Sequence, residues 1–183
     1  MTESFQELRA AYHEAAEDGR ADMVSAFEEL LPDPAVVDFL LGVAADTTEY
    51  DLARVEALKL FQLFRSDDEP THQRIGNSVA TVLKEDTDTL VRQWAAIALE
   101  FNYHDIPEVR RVVIERLLDA EEELNTRHNC MAVLRRADRT PDVREALGKL
   151  RDDPELGRYV VEKSDPWLGS SPYGSSPSSV LPS

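Results

Sequence analysis

Apolar residues recur along most of the chain every three to four positions, the spacing of one helix face, in stretches separated by short acidic breaks. Four stretches open on a proline: PAVVDFLLGVAAD, PTHQRIGNSVATVLKED, PEVRRVVIERLLDAEEE and PDVREALGKLRDD, beginning at Pro34, Pro70, Pro107 and Pro141, 36, 37 and 34 residues apart. Proline suits a helix's first turn, where its missing N–H would have no intrahelical acceptor. A second series interleaves with the first. Arg20, Arg54, Arg92, Arg127 and Arg158 each stand near the start of another amphipathic stretch. Aligned on the arginine, LARVEALKLF, LVRQWAAIAL and NTRHNCMAVL place Ala57, Ala95 and Cys130 in one column and Phe61, Leu99 and Leu134 in another.

The predicted unit is therefore a proline-opened helix, an acidic turn, an arginine-marked helix and a second turn. Isolated helices of about 12 to 16 residues are marginal in water, so each must bury its apolar face against neighbours. Stacked repeats provide that burial. The expectation is an all-α chain without a β-sheet.

The residues that carry this repeat resemble the HEAT-repeat family. The closest stretch is Asp86-Thr-Asp-Thr-Leu-Val-Arg92-Gln-Trp-Ala-Ala-Ile-Ala-Leu99, which looks like the family's turn aspartate, Val-Arg pair and alanine-rich second helix. The acid-to-arginine offset of six recurs in Asp152/Arg158 and Glu121/Arg127, but Thr48 stands six before Arg54 and Glu14 six before Arg20. The resemblance covers roughly residues 20 to 163. It implies a right-handed α-solenoid of about four to five stacked helix pairs, with second helices on the concave face. It also implies an inter-repeat ladder of charged hydrogen bonds through Arg20, Arg54, Arg92, Arg127 and Arg158. About function it is nearly silent.

Residues 1–18 read as an N-terminal capping helix and 1–163 as one domain. From Ser164 to Ser183, 14 of 20 residues are Ser, Pro or Gly. That composition, with Trp167 and Tyr173 its large rings, predicts a disordered tail.

Charge narrows the partner. Asp and Glu number 36 against 20 Lys and Arg, a formal net charge of −16. Such a surface repels phosphate backbones and attracts basic proteins; an acid-rich, lysine-poor surface also keeps a protein hydrated in high salt. Nothing in the pattern predicts a membrane span or export, and one cysteine excludes an internal disulfide framework. The expected setting is the cytoplasm.

Chemistry is sparse. No phosphate-binding glycine loop, G-x-S-x-G, H-E-x-x-H or Cys-x-x-Cys occurs, and His13, His72, His104 and His128 fall in different repeats. Glu69, three before His72, reads as a helix N-terminal glutamate, Glu100/His104 as an exposed pair and Cys130 as packed core. No enzyme activity, cofactor or metal is expected. Binding information concentrates in two places. The acidic turns hold Asp51, Asp86, Asp88, Glu121, Glu122, Glu123, Asp152 and Asp153, which stacking would align as a ridge. Trp94 stands where Glu56 and Asn129 occupy the matching positions, with Tyr50, Phe101 and Tyr103 as extensions of an aromatic patch. The expected function is non-catalytic protein binding, either as an acidic inhibitor or immunity-type protein masking a basic partner such as a toxin, or as a scaffold holding a peptide in its groove. A HEAT-like DNA-repair glycosylase would need a basic face, which this composition opposes.

Overall fold

The computed structural model describes residues 3–162, which contain ten α-helices, two 3₁₀ turns and no strand. The tail expected over 164–183, with Trp167 and Tyr173, lies outside the described residues. The helices are α1 (Glu3–Glu14), α2 (Glu17–Val24), α3 (Pro34–Ala45), α4 (Asp51–Leu63), α5 (Glu69–Glu85), α6 (Thr89–Asn102), α7 (Pro107–Leu118), α8 (Leu124–Arg136), α9 (Pro141–Lys149) and α10 (Gly157–Glu162). The 3₁₀ turns cover Ser25–Leu30 and Leu150–Asp152. The four prolines do stand in first turns, those of α3, α5, α7 and α9.

Helix starts are closed by the acidic breaks. Side chains of Asp33, Asp68, Asp88 and Glu123 accept from the N–H groups of Ala35, Thr71, Val91 and Thr126 at 2.9, 2.9, 2.9 and 3.0 Å. Each such cap contributes about 1 kcal/mol.

The helices pack in two rows: α2, α4, α6 and α8 lie side by side in one, and α3, α5, α7 and α9 in the other. The pairs α3–α4, α5–α6 and α7–α8 join the rows. The columns legible in the repeat are the core between them. Ala57, Ala95 and Cys130, and one turn further on Phe61, Leu99 and Leu134, all have zero exposure. At the N-terminal end, Phe5 and Tyr12 of α1 meet Phe27 and Phe39 edge to face, with Tyr12 and Phe39 centred 5.2 Å apart. Aromatic rings thus close this end of the core among the described residues. No helix of the described residues is long and apolar enough to cross a membrane.

The ends of neighbouring repeats are tied through their free carbonyls. At the C-terminus of α6, the Tyr103 hydroxyl donates to the Phe64 carbonyl at 2.7 Å and Asn102 Nδ2 to the Gln62 carbonyl at 3.1 Å. Those carbonyls follow the last turns of α4, where helical acceptors lack donors. Gly76 of α5 makes room for this joint: a Cβ there would stand 2.5 Å from Ile106 Cδ1 and 3.1 Å from Tyr103 Cδ1.

Candidate functional site

Arg20, Arg54, Arg92 and Arg127 each occupy the fourth position of a second-row helix, α2, α4, α6 and α8. From there each guanidinium reaches forward to the turn of the following repeat. Arg20 Nη1 donates to Glu49 at 3.0 Å, Arg54 pairs with Asp86, Arg92 grips Glu122 through Nε and Nη2 at 3.1 and 2.9 Å, and Arg127 pairs with Asp153. The same arginines donate backward to backbone carbonyls: Ala15 from Arg20, Ala44 from Arg54, Asp86 and Thr87 from Arg92, Leu117 from Arg127. Each ladder acid also accepts a backbone N–H from its own turn. These donors hold the carboxyls of Glu49 and Asp153 below the usual carboxylate range, against the upward push of their burial.

Two details depart from the sequence expectation. The ladder acid is Glu122 and not Glu121, and Asp153 and not Asp152, so the offset of six holds only for Asp86/Arg92. Even there Arg92 takes the backbone oxygen of Asp86, whose carboxylate belongs to Arg54. Arg158 stands outside the ladder. It is the second residue of α10, is exposed, and donates to the Tyr159 hydroxyl at 2.7 Å.

The acidic ridge is thereby largely absorbed into the fold. Asp86, Glu122 and Asp153 neutralise buried guanidiniums, while Asp88 and Glu123 cap α6 and α8. Tyr50 is half-buried, and the neighbouring Asp18 carboxylate, together with burial, raises its phenol. Asp51 and Glu121 remain exposed at the start of α4 and just before α8, and Asp152 is exposed at the end of the 3₁₀ turn after α9. The run of three glutamates has separate duties: Glu121 faces solvent, Glu122 is a ladder acid, Glu123 is a cap.

Trp94 is half-buried, with Lys59 Nζ 4.8 Å above its ring. Sequence reasoning named Phe101 beside it but missed Leu90 and Ile97. Leu90, Trp94, Ile97 and Phe101 follow at spacings of four, three and four along α6, and none of them is fully buried. Leu90 and Phe101 are 40% and 47% exposed, and on the adjoining α4 Leu52 and Leu63 are 44% and 77% exposed. The Arg136 guanidinium lies 4.3 Å over Phe101. The signal was present in the sequence, because α6 is apolar on two faces while one suffices for the core. Tyr103, by contrast, is not part of a surface patch; it has zero exposure. The opposite row carries an open groove of about 620 Å³ between α3 and α5, spanned by the Arg74–Asp38 ion pair.

The titratable groups named from the sequence are engaged in packing. Cys130 is wholly buried, and burial pushes its thiol up. His104 bonds the Glu100 carbonyl at 2.9 Å through Nδ1 and lies 3.3 Å from Asp105 through Nε2. His72 is 4% exposed and stacks on Tyr103 with ring centres 4.8 Å apart. Burial first, then the Arg65 guanidinium, hold His72 below the usual histidine range, with Glu69 and the Asn102 backbone opposing. A buried histidine kept neutral must charge as the protein unfolds in acid. Its share of the stability is complete above about pH 6.5, the unfolded value, and is lost as pH falls toward the lower folded value. Between pH 7 and pH 5 the wild type is therefore expected to lose a few degrees of melting temperature more than His72→Phe; equal losses would exclude this role.

Compared with known proteins, the chain matches no family model, no curated protein and no solved structure. The class defined by the geometry is an all-helical protein of paired helices in two rows.

Proposed function

We propose that the chain is a HEAT-like, right-handed α-solenoid that serves as a non-catalytic protein-binding module, with the second-helix row as its binding face. The observation that carries the reading is the α6 stripe from Leu90 to Phe101, large apolar side chains left in contact with water on a helix whose other face already fills the core. Contiguous exposed apolar surface of this kind marks interaction sites, and tryptophan is among the residues that most often anchor a partner. The repeated Arg-to-next-turn ladder supports the solenoid assignment, since it couples each repeat only to its neighbours. An inhibitor or immunity-type role toward a basic protein is the second reading, supported by Asp51, Glu121 and Asp152, which leave the ladder's end of the row acidic.

A photo-crosslinking phenylalanine analogue placed at Phe101, and separately at exposed Arg111 on α7, tests the face. In native lysate, protein adducts are expected from position 101 and not from 111. Equal labelling at both, or none at 101, would sink the binding-face assignment.

A further inference from the structure

The charge around the α6 stripe is not uniform, and its distribution selects an occupant. The cations on the face are already neutralised. Lys59 pairs with Glu56 at 2.6 Å and covers Trp94, while Arg136 pairs with Glu100 at 2.8 Å and covers Phe101. The carboxylates beside the Leu52 and Leu90 end are different. Asp51 is exposed and shares Arg54, whose Nη1 lies 3.5 Å from its carboxylate, with Asp86; Glu121 is exposed, and no cation within ion-pair distance serves it among the described residues. The stripe runs from Leu90 to Phe101, eleven helical steps or about 16 Å at about 1.5 Å per residue, the length of three helical turns.

Resting on the binding-module reading above, we propose that this face takes a basic amphipathic segment of another protein, its apolar side chains seated along α6 from Leu90 to Phe101 and its lysines or arginines facing the Asp51 and Glu121 edge. A helix laid in this way is read by anchors at i, i+3, i+4 and i+7. Glu121 gains a cation on binding and Asp51 one that it need not share with Asp86, and the net charge of −16 accelerates the encounter. A second copy of the chain fits worse, because two such acidic edges would repel.

The test uses the full-length protein and three fluorescent peptides of one length. One has leucine and tryptophan at helical spacing among lysines, one is its scramble, and one carries glutamate for lysine. At 0.15 M salt the patterned lysine peptide is expected to bind about tenfold or more tighter than either control, the scale of one hot-spot contact. Leu90→Ser combined with Phe101→Ser, both at exposed positions, should remove about tenfold of that affinity with an unchanged melt. Asp51→Asn combined with Glu121→Gln should weaken binding severalfold and flatten its salt dependence. Scramble and patterned peptides binding alike, or full affinity in the serine variant, would reduce the effect to bulk charge attraction and overturn the proposal. A preference for the glutamate peptide would reverse its chemistry. Displacement of the probe by a synthetic 163–183 peptide, or a dimer in sedimentation, would assign the face to the chain's own C-terminal segment or to a second copy. If the peptides fail while position 101 still crosslinks a protein, the binding module stands and only the partner chemistry falls.

Discussion

Arg54→Ala is expected to cost about 3–5 kcal/mol, the range for removing one partner of a buried ion pair. Arg54 is 1% exposed and the Asp86 side chain 3%. Its loss leaves the Asp86 carboxylate with the Asp88 N–H but no cation, and removes the donor from the Ala44 carbonyl. Most of the penalty is that uncompensated buried charge. Arg54→Ala with Asp86→Ala should therefore cost less than the sum of the single changes, a coupling of about 0.5–3 kcal/mol. Lysine at 54 should recover part of the loss, because an ammonium cannot serve Asp86 and the Ala44 carbonyl with one planar fork. Arg158→Ala is the control, exposed and outside the ladder, and should stay within about 0.5 kcal/mol of wild type. Urea unfolding midpoints measure all five, the Asp86→Ala single variant included. An Arg54→Ala midpoint equal to that of Arg158→Ala would deprive the ladder of its structural role.

Tyr103→Ala should be of similar size, about 3–5 kcal/mol, as for other large aromatic side chains removed from a core. Tyr103 has zero exposure, stacks on His72, abuts Gly76 and ties α6 to the end of α4 through its hydroxyl. Tyr103→Phe isolates the last contact and should cost about 1–2 kcal/mol, because the Phe64 carbonyl loses its donor. Gly76→Ala separately forces its new methyl onto Ile106 and Tyr103, at about 1–3 kcal/mol. In the Tyr103→Ala background the ring contact is gone and Ile106 Cδ1, the tighter neighbour at 2.5 Å, can yield into the vacated space, so the double variant should be less destabilised than the two single effects added. Strict additivity would mean that Gly76 and Tyr103 do not share one packing site.

Much of the fold could be read along the chain because its signals are local. Proline tolerates only a first helical turn, and the Pro34, Pro70, Pro107 and Pro141 series therefore announced four helix starts. The columns through Ala57 and Phe61 announced the core because a helix of period 3.6 brings those positions to one side. The acidic turns misled. A carboxylate that caps a helix, one that neutralises a buried guanidinium and one that faces water have the same letter in the sequence, and Glu121, Glu122 and Glu123 are one of each.

The sequence by itself determined where helices begin, which face of each is apolar, and that arginine recurs at their starts, since all three depend on residues within a few turns of one another. Only the tertiary structure decided which carboxylate each arginine takes, because Arg54 and Asp86, or Arg92 and Glu122, are joined across about thirty residues by the packing of neighbouring repeats. The same packing decided which apolar residues were left over. α6 has two apolar faces, and contact with α4, α5 and α8 buries Ala95 and Leu99 while Leu90 and Phe101 stay in water. Burial is a property of the neighbour, and the neighbour is chosen in three dimensions.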